Sequence, residues 1–176
     1  MTPARSQIPG LESENVTFNG IRLHYWVGGE PAGPPVLLWH GFLTTGRCWR
    51  HVAPALVDAG CAVLVPEMRG YGDSDKPAGV AGYDGRALAE EFRALVGQIG
   101  FGGGRPLTLV AHDMGAPPAL LWAADHPAAP SATAGTSSPR NGRRPSCDTR
   151  WPWQASNGQP IQRIQPINYH KRTKPL

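Results

Sequence analysis

Three short apolar runs constrain this chain more than any other feature: Val36-Leu37-Leu38-Trp39, Ala62-Val63-Leu64-Val65 and Leu107-Thr108-Leu109-Val110-Ala111. Runs of this length without polar alternation suit strands covered on both faces, the kind found in parallel sheets. The segments around them keep a helical spacing instead. Trp49, Val52, Ala53, Leu56 and Val57 predict a helix over 49–59, closed by Gly60. Leu88, Phe92, Leu95, Val96 and Ile99 predict one from Tyr83 to Ile99, ended by Gly100. A third is expected from Met114 to Asp125, with Pro117 and Pro118 tolerated because the first turn lacks intrahelical N–H partners. Ahead of these, Val16–Phe18 and Ile21–Val27 flank Asn19-Gly20, a dipeptide suited to a tight hairpin turn. Residues 1–14 are polar and show no period. A hairpin followed by alternating strands and helices predicts an α/β fold with a mostly parallel sheet.

At 176 residues the chain has room for one ordinary domain. It has no apolar run near membrane-spanning length and no opening pattern of a secretory signal. Cys48, Cys61 and Cys147 are far apart and form no CxxC pair, so they read as free thiols of a reducing cytoplasm.

The net charge of +4 is unevenly divided. Residues 1–130 hold nine Lys/Arg against twelve Asp/Glu, whereas residues 131–176 hold eight against the single Asp148. From Ser131 the sequence turns to Ser, Thr, Ala and Gly, then to Arg140, Arg143 and Arg144 among prolines. It keeps no helix or strand period and is expected to be disordered. Its Arg and Lys beside Trp151, Trp153 and Tyr169 have the composition of a single-strand nucleic-acid binder, but a solvated tail is the simpler expectation.

The chemistry lies where the third apolar run enters the third helix, at Ala111-His112-Asp113-Met114-Gly115. Small residues on both sides of Asp113 suit a sharp strand-to-helix turn, which lifts one side chain above the sheet beside helix N–H groups. Asp is also a good helix N-cap, and the residues alone leave both roles open.

This pattern resembles the α/β-hydrolase fold family, in particular its aspartate-nucleophile branch of epoxide hydrolases and haloalkane or haloacetate dehalogenases. Three further segments agree in order. Trp39-His40-Gly41-Phe42 looks like the family's HG oxyanion-hole motif, Arg69-Gly70-Tyr71-Gly72-Asp73-Ser74 is similar to its RGYGxS loop, and Ala124-Asp125-His126-Pro127 resembles the end of the helix after the nucleophile. The resemblance covers residues 12–127. It implies that Asp113 attacks an electrophilic carbon to form an alkyl-enzyme ester, and that the N–H groups of Phe42 and Met114 form the oxyanion hole. His40, Gly41, Ala111 and Gly115 would support that motif. The late histidine and second carboxylate of such enzymes have no match here, because His170 stands in the basic tail. Met114 also departs from the family's Trp or Arg after the nucleophile, and Leu43 from the Pro of epoxide hydrolases.

His112 and His126 are read as structural. Asp73 and Asp75 are read as turn residues rather than metal ligands. Gly102-Gly103-Gly104 lacks the Lys-Ser/Thr of a phosphate cradle. No cofactor and no metal are expected. The expected organisation is an N-terminal half of an α/β-hydrolase core over 12–127 joined to a basic tail over 128–176, the join falling where another strand should begin. A frameshift or truncated gene is the expected origin of the tail, and a chain inactive as given is the expected outcome. A small-molecule substrate is expected of a completed protein, with neither nucleic acid nor membrane as partner. An exposed sheet edge would favour aggregation or chaperone binding.

Overall fold

The computed structural model describes residues 7–126 and the backbone of Ser131–Ala132. The tail reading otherwise lies outside the described residues, as do Cys147 and His170. Strands β1 (Glu12–Phe18), β2 (Ile21–Gly29), β3 (Pro35–Trp39), β4 (Ala62–Pro66), β5 (Thr108–Ala111) and β6 (Ser131–Ala132) form one sheet in the order β1-β2-β4-β3-β5-β6. The helices are α1 (Val52–Asp58), α2 (Gly85–Ile99) and α3 (Ala116–Asp125). The β1–β2 hairpin and the β2–β4 pair are antiparallel, and β4, β3, β5 and β6 run parallel.

The hairpin turns at Asn19-Gly20 with φ of 48° and 76°, the positive angles that this dipeptide tolerates. The three apolar runs are the central strands β3, β4 and β5. Their alternate residues feed two cores. Leu37, Trp39, Leu64 and Leu109 join Phe92, Leu95 and Trp122 beneath α2 and α3. Val36, Leu38, Val63 and Val65 join Ile8, Trp26 and Ala53 on the other face. Side chains of a strand point alternately to opposite faces, so helices on both sides leave no polar positions.

The helices begin later than their apolar spacing suggests. Asp84 accepts the N–H groups of Arg86 and Ala87 at 3.1 and 3.0 Å, so α2 starts at Gly85. Residues Gly46–Trp49 form a separate 3₁₀ turn capped by Thr45, so α1 starts at Val52. A further 3₁₀ turn, Asp113–Gly115, precedes α3. β1 begins at Glu12, within the stretch that shows no period, because pairing with β2 rather than burial makes it a strand. β6 falls in the stretch read as tail, where it pairs with Thr108 and Leu109 of β5. The free-thiol reading holds for Cys48 but not for Cys61, which is disulfide-bonded.

Candidate active site

The site sits at the C-terminal ends of β3 and β5, adjacent strands that bring Trp39 opposite Ala111. Just beyond, the two strand ends come into close contact. A Cβ added at Gly115 would lie 2.5 Å from the His40 carbonyl oxygen. One added at Gly41 would lie 2.8 Å from both Cβ and Oδ2 of Asp113. Glycine is therefore required at both places by close approach.

Asp113 adopts φ of 49°, a left-handed conformation that few non-glycine residues take. Such strain persists only where the surroundings over-determine it. Here Gly115 N–H donates to the His112 carbonyl at 3.0 Å, closing the turn, while the Asp113 side chain stays exposed above the sheet. The carboxylate does not act as the N-cap of α3. Gly115 holds that position, and Asp113 Oδ2 instead accepts the N–H of Phe42 at 2.7 Å, from a residue 71 positions away. The Phe42 N–H and then the Met114 N–H hold this carboxyl below the usual aspartate range, with the His112 ring adding in the same direction. All seven residues expected at the site are thus within one strand-end cluster. Phe42 and Met114 leave their side chains half exposed, at 51% and 48%.

His40 lies underneath, fully buried. Its Nδ1–H donates to the Gly41 carbonyl at 3.0 Å, and its Nε2 accepts the Met68 N–H at 3.1 Å. Accepting through Nε2 requires a neutral ring. Burial lowers its pKa in keeping with that, outweighing the Gly41 carbonyl and the Glu67 charge that favour the proton. His40 thereby ties the Gly41–Phe42 turn to the segment after β4.

Sequence reasoning missed Glu67. It is buried and joins three segments: Oε1 accepts the Gly46 N–H at 3.3 Å, and Oε2 accepts the Asp73 N–H at 2.7 Å and faces His24 Nδ1 at 3.0 Å. Burial works to raise its pKa, but the bonds from His24 and the Asp73 N–H and the nearby imidazoles lower it overall. A Cβ at Gly72 would lie 1.9 Å from Glu67 Oε2, so the glycine-rich loop closes directly over this carboxylate. A charged residue immediately after a buried strand and before that loop was the available signal. Ser74 accepts the His24 N–H at 2.9 Å and donates to the Glu67 carbonyl at 2.8 Å, and Asp75 pairs with Arg22 of β2 at 3.3 Å. Asp75 is thus a loop fastener. The Asp73 carboxylate groups with His24 and Glu67, their ligand atoms all within 4.8 Å, the spacing a cation would need. Both ring nitrogens of His24 and both oxygens of Glu67 already have protein partners, Ser13 Oγ completing the set at 2.8 Å.

Comparison with known proteins agrees with this fold. The family model of the alpha/beta hydrolase fold matches residues 34–141, and the chain belongs to that family. Its relatives include epoxide hydrolase A of Mycobacterium tuberculosis, 41% identical over 107 residues, a match covering 61% of this chain and 32% of the relative. A fluoroacetate dehalogenase of Burkholderia is 37% identical over 121 residues, covering 67% of this chain and 38% of the relative. The crystal structure of an epoxide hydrolase from Vigna radiata superposes with a TM-score of 0.65 at 32% identity, covering 78% of this chain and 42% of that one. The chain spans about a third of the length of the first two curated relatives it matches, 32% and 35%. Among the described residues, no helix is long and apolar enough to cross a membrane.

Proposed function

We propose that this chain carries the nucleophilic half of a hydrolase acting on a small molecule with an electrophilic carbon, an epoxide or an organohalide. The observation that carries the reading is the exposed carboxylate at a strained φ, with Oδ2 held by an N–H from another strand end. That bond leaves Oδ1 as the attacking atom. Its lone pair forms a C–O bond while the ring C–O bond or the carbon–halogen bond breaks. A ring oxygen then takes a proton from solvent, or the halide departs as an anion.

In the resulting ester, Oδ2 is the carbonyl oxygen. Attack by water would place negative charge on it, where the N–H groups of Phe42 and Met114 and the N-terminal end of α3 favour that charge. The N–H donors to Asp113 favour its carboxylate form, the form that attacks carbon. The half-exposed side chains of Phe42 and Met114 offer an apolar organic group a place to rest.

Hydrolysis of the ester needs a base to activate water. The two histidines beside the Asp113 turn are engaged, His40 with Gly41 and Met68, and His112 with Cys48. On the described residues, the chain is accordingly proposed to form the ester without repeated turnover. The test is the stoichiometry of consumption of a terminal epoxide or a haloacid. Wild type should consume about one equivalent per chain and stop, and Asp113→Asn none. Many equivalents would overturn the single-turnover reading, and none in wild type would overturn the nucleophile.

A further inference from the structure

The loop that presents the Phe42 N–H has little burial of its own. Leu43 at its tip is 83% exposed and adopts φ of 53°, an unfavourable conformation for a branched side chain. Something else must hold it. The Thr44 hydroxyl donates to the Gly41 carbonyl at 3.0 Å, which closes the tip on itself without anchoring it.

His40 holds the Gly41 carbonyl and Glu67 the Gly46 N–H, and the His112 ring is the third support. On one side an added Gly41 Cβ would come within 3.0 Å of His112 Cε1, so the loop backbone rests on the imidazole. On the other side Cys48 Sγ is 3.6 Å from His112 Nε2. Trp49 meets the same ring edge-on, with centroids 5.4 Å apart at 70°. Cys48 and Trp49 belong to the 3₁₀ turn that continues directly from the loop. Both ends of the segment from Gly41 to Trp49 therefore meet one imidazole.

We propose that His112 is a positioning residue, a post gripped by Cys48 and Trp49 that sets the Phe42 N–H against the Asp113 carboxylate. Burial pushes the Cys48 thiol up, so sulfur stays protonated and serves as a partner of the ring rather than as a nucleophile. The kinetic consequence rests on Asp113 being the nucleophile; the geometric one does not.

Two readouts on the full chain test this. In ¹⁵N-labelled protein the Phe42 amide proton reports its bond to Asp113, and mass spectrometry reports the rate at which styrene oxide alkylates Asp113. His112→Ala should move the Phe42 amide towards its unbonded position and slow alkylation about tenfold, short of the loss on deleting a hole donor. His112→Gln, which keeps a polar group near the Nε2 position, should restore most of both. Cys48→Val, which leaves the imidazole in place, should give an intermediate effect, and Cys48→Ser a smaller one.

A purely structural role would lower the melting temperature while leaving the Phe42 amide in place. An unchanged Phe42 amide in both His112→Ala and Cys48→Val overturns the proposal. If His112→Ala does not fold, the Gln and Val variants decide by the same amide. If wild type is not alkylated, the ester reading falls, while the amide still decides whether His112 positions the loop.

Discussion

Asp113 and Glu67 are two carboxylates that accept backbone N–H groups from distant segments, yet their settings are opposite. Glu67 is buried, and both of its oxygens are taken, by Gly46, Asp73 and His24. Asp113 is exposed at a strained turn, with Oδ2 held by the Phe42 N–H. A carboxylate whose acceptor sites all face protein donors can only fasten. One that is held by a single oxygen and faces solvent can react. The contrast teaches that the number of N–H partners matters less than which lone pairs they leave free.

The largest expected effect falls on the fastening side. Glu67→Ala strands the Gly46 and Asp73 N–H groups and the buried His24, and should cost about 3–5 kcal/mol in denaturant unfolding. A loss under about 1 kcal/mol would break the contrast, since that is what a surface carboxylate contributes.

Acid should sharpen it next. The buried His40 ring has a lowered pKa, so the unfolded chain takes up that proton first. Its stabilisation is full above about pH 6.5 and is lost as pH falls through the folded value. Glu67 has a lowered carboxyl pKa, so its contribution is present above its ordinary value of 4.5 and is lost as pH falls further. Melting temperature should thus decline in two stages below about pH 6.5, and His40→Gln should remove the first stage. A flat wild-type profile from about pH 7 to 5 would contradict the neutral buried ring.

The smallest effect is expected at Asp75, half-buried in the same loop as Asp73 and paired with Arg22 at the surface. Asp75→Ala should cost about 0.5–1 kcal/mol and less at high salt, read from unfolding curves with and without added salt.

Much of this was legible in the sequence, for identifiable reasons. The three apolar runs became β3, β4 and β5 because a strand covered on both faces writes its burial into consecutive residues. Asn19-Gly20 specified its turn locally. The strand-to-helix turn at Asp113 was legible because close backbone approach demands small residues, and Gly41 and Gly115 show that approach directly. Glu67 was legible only as a charged residue following a buried strand, since its partners Gly46 and His24 lie 21 and 43 positions away. The Cys48–His112 contact, across 64 positions, was hidden in the same way. β1 begins early because its outer residues are exposed and owe their conformation to pairing alone.

The central claim is that Asp113 is poised to react and Glu67 is not. The direct measurement is peptide mapping by mass spectrometry after incubating the folded chain with a terminal epoxide at neutral pH. The account predicts an alkyl ester on the peptide that holds Asp113, absent in Asp113→Asn, and none on the peptide that holds Glu67. An ester on Glu67, or an unmodified Asp113 in folded wild-type protein, would contradict it.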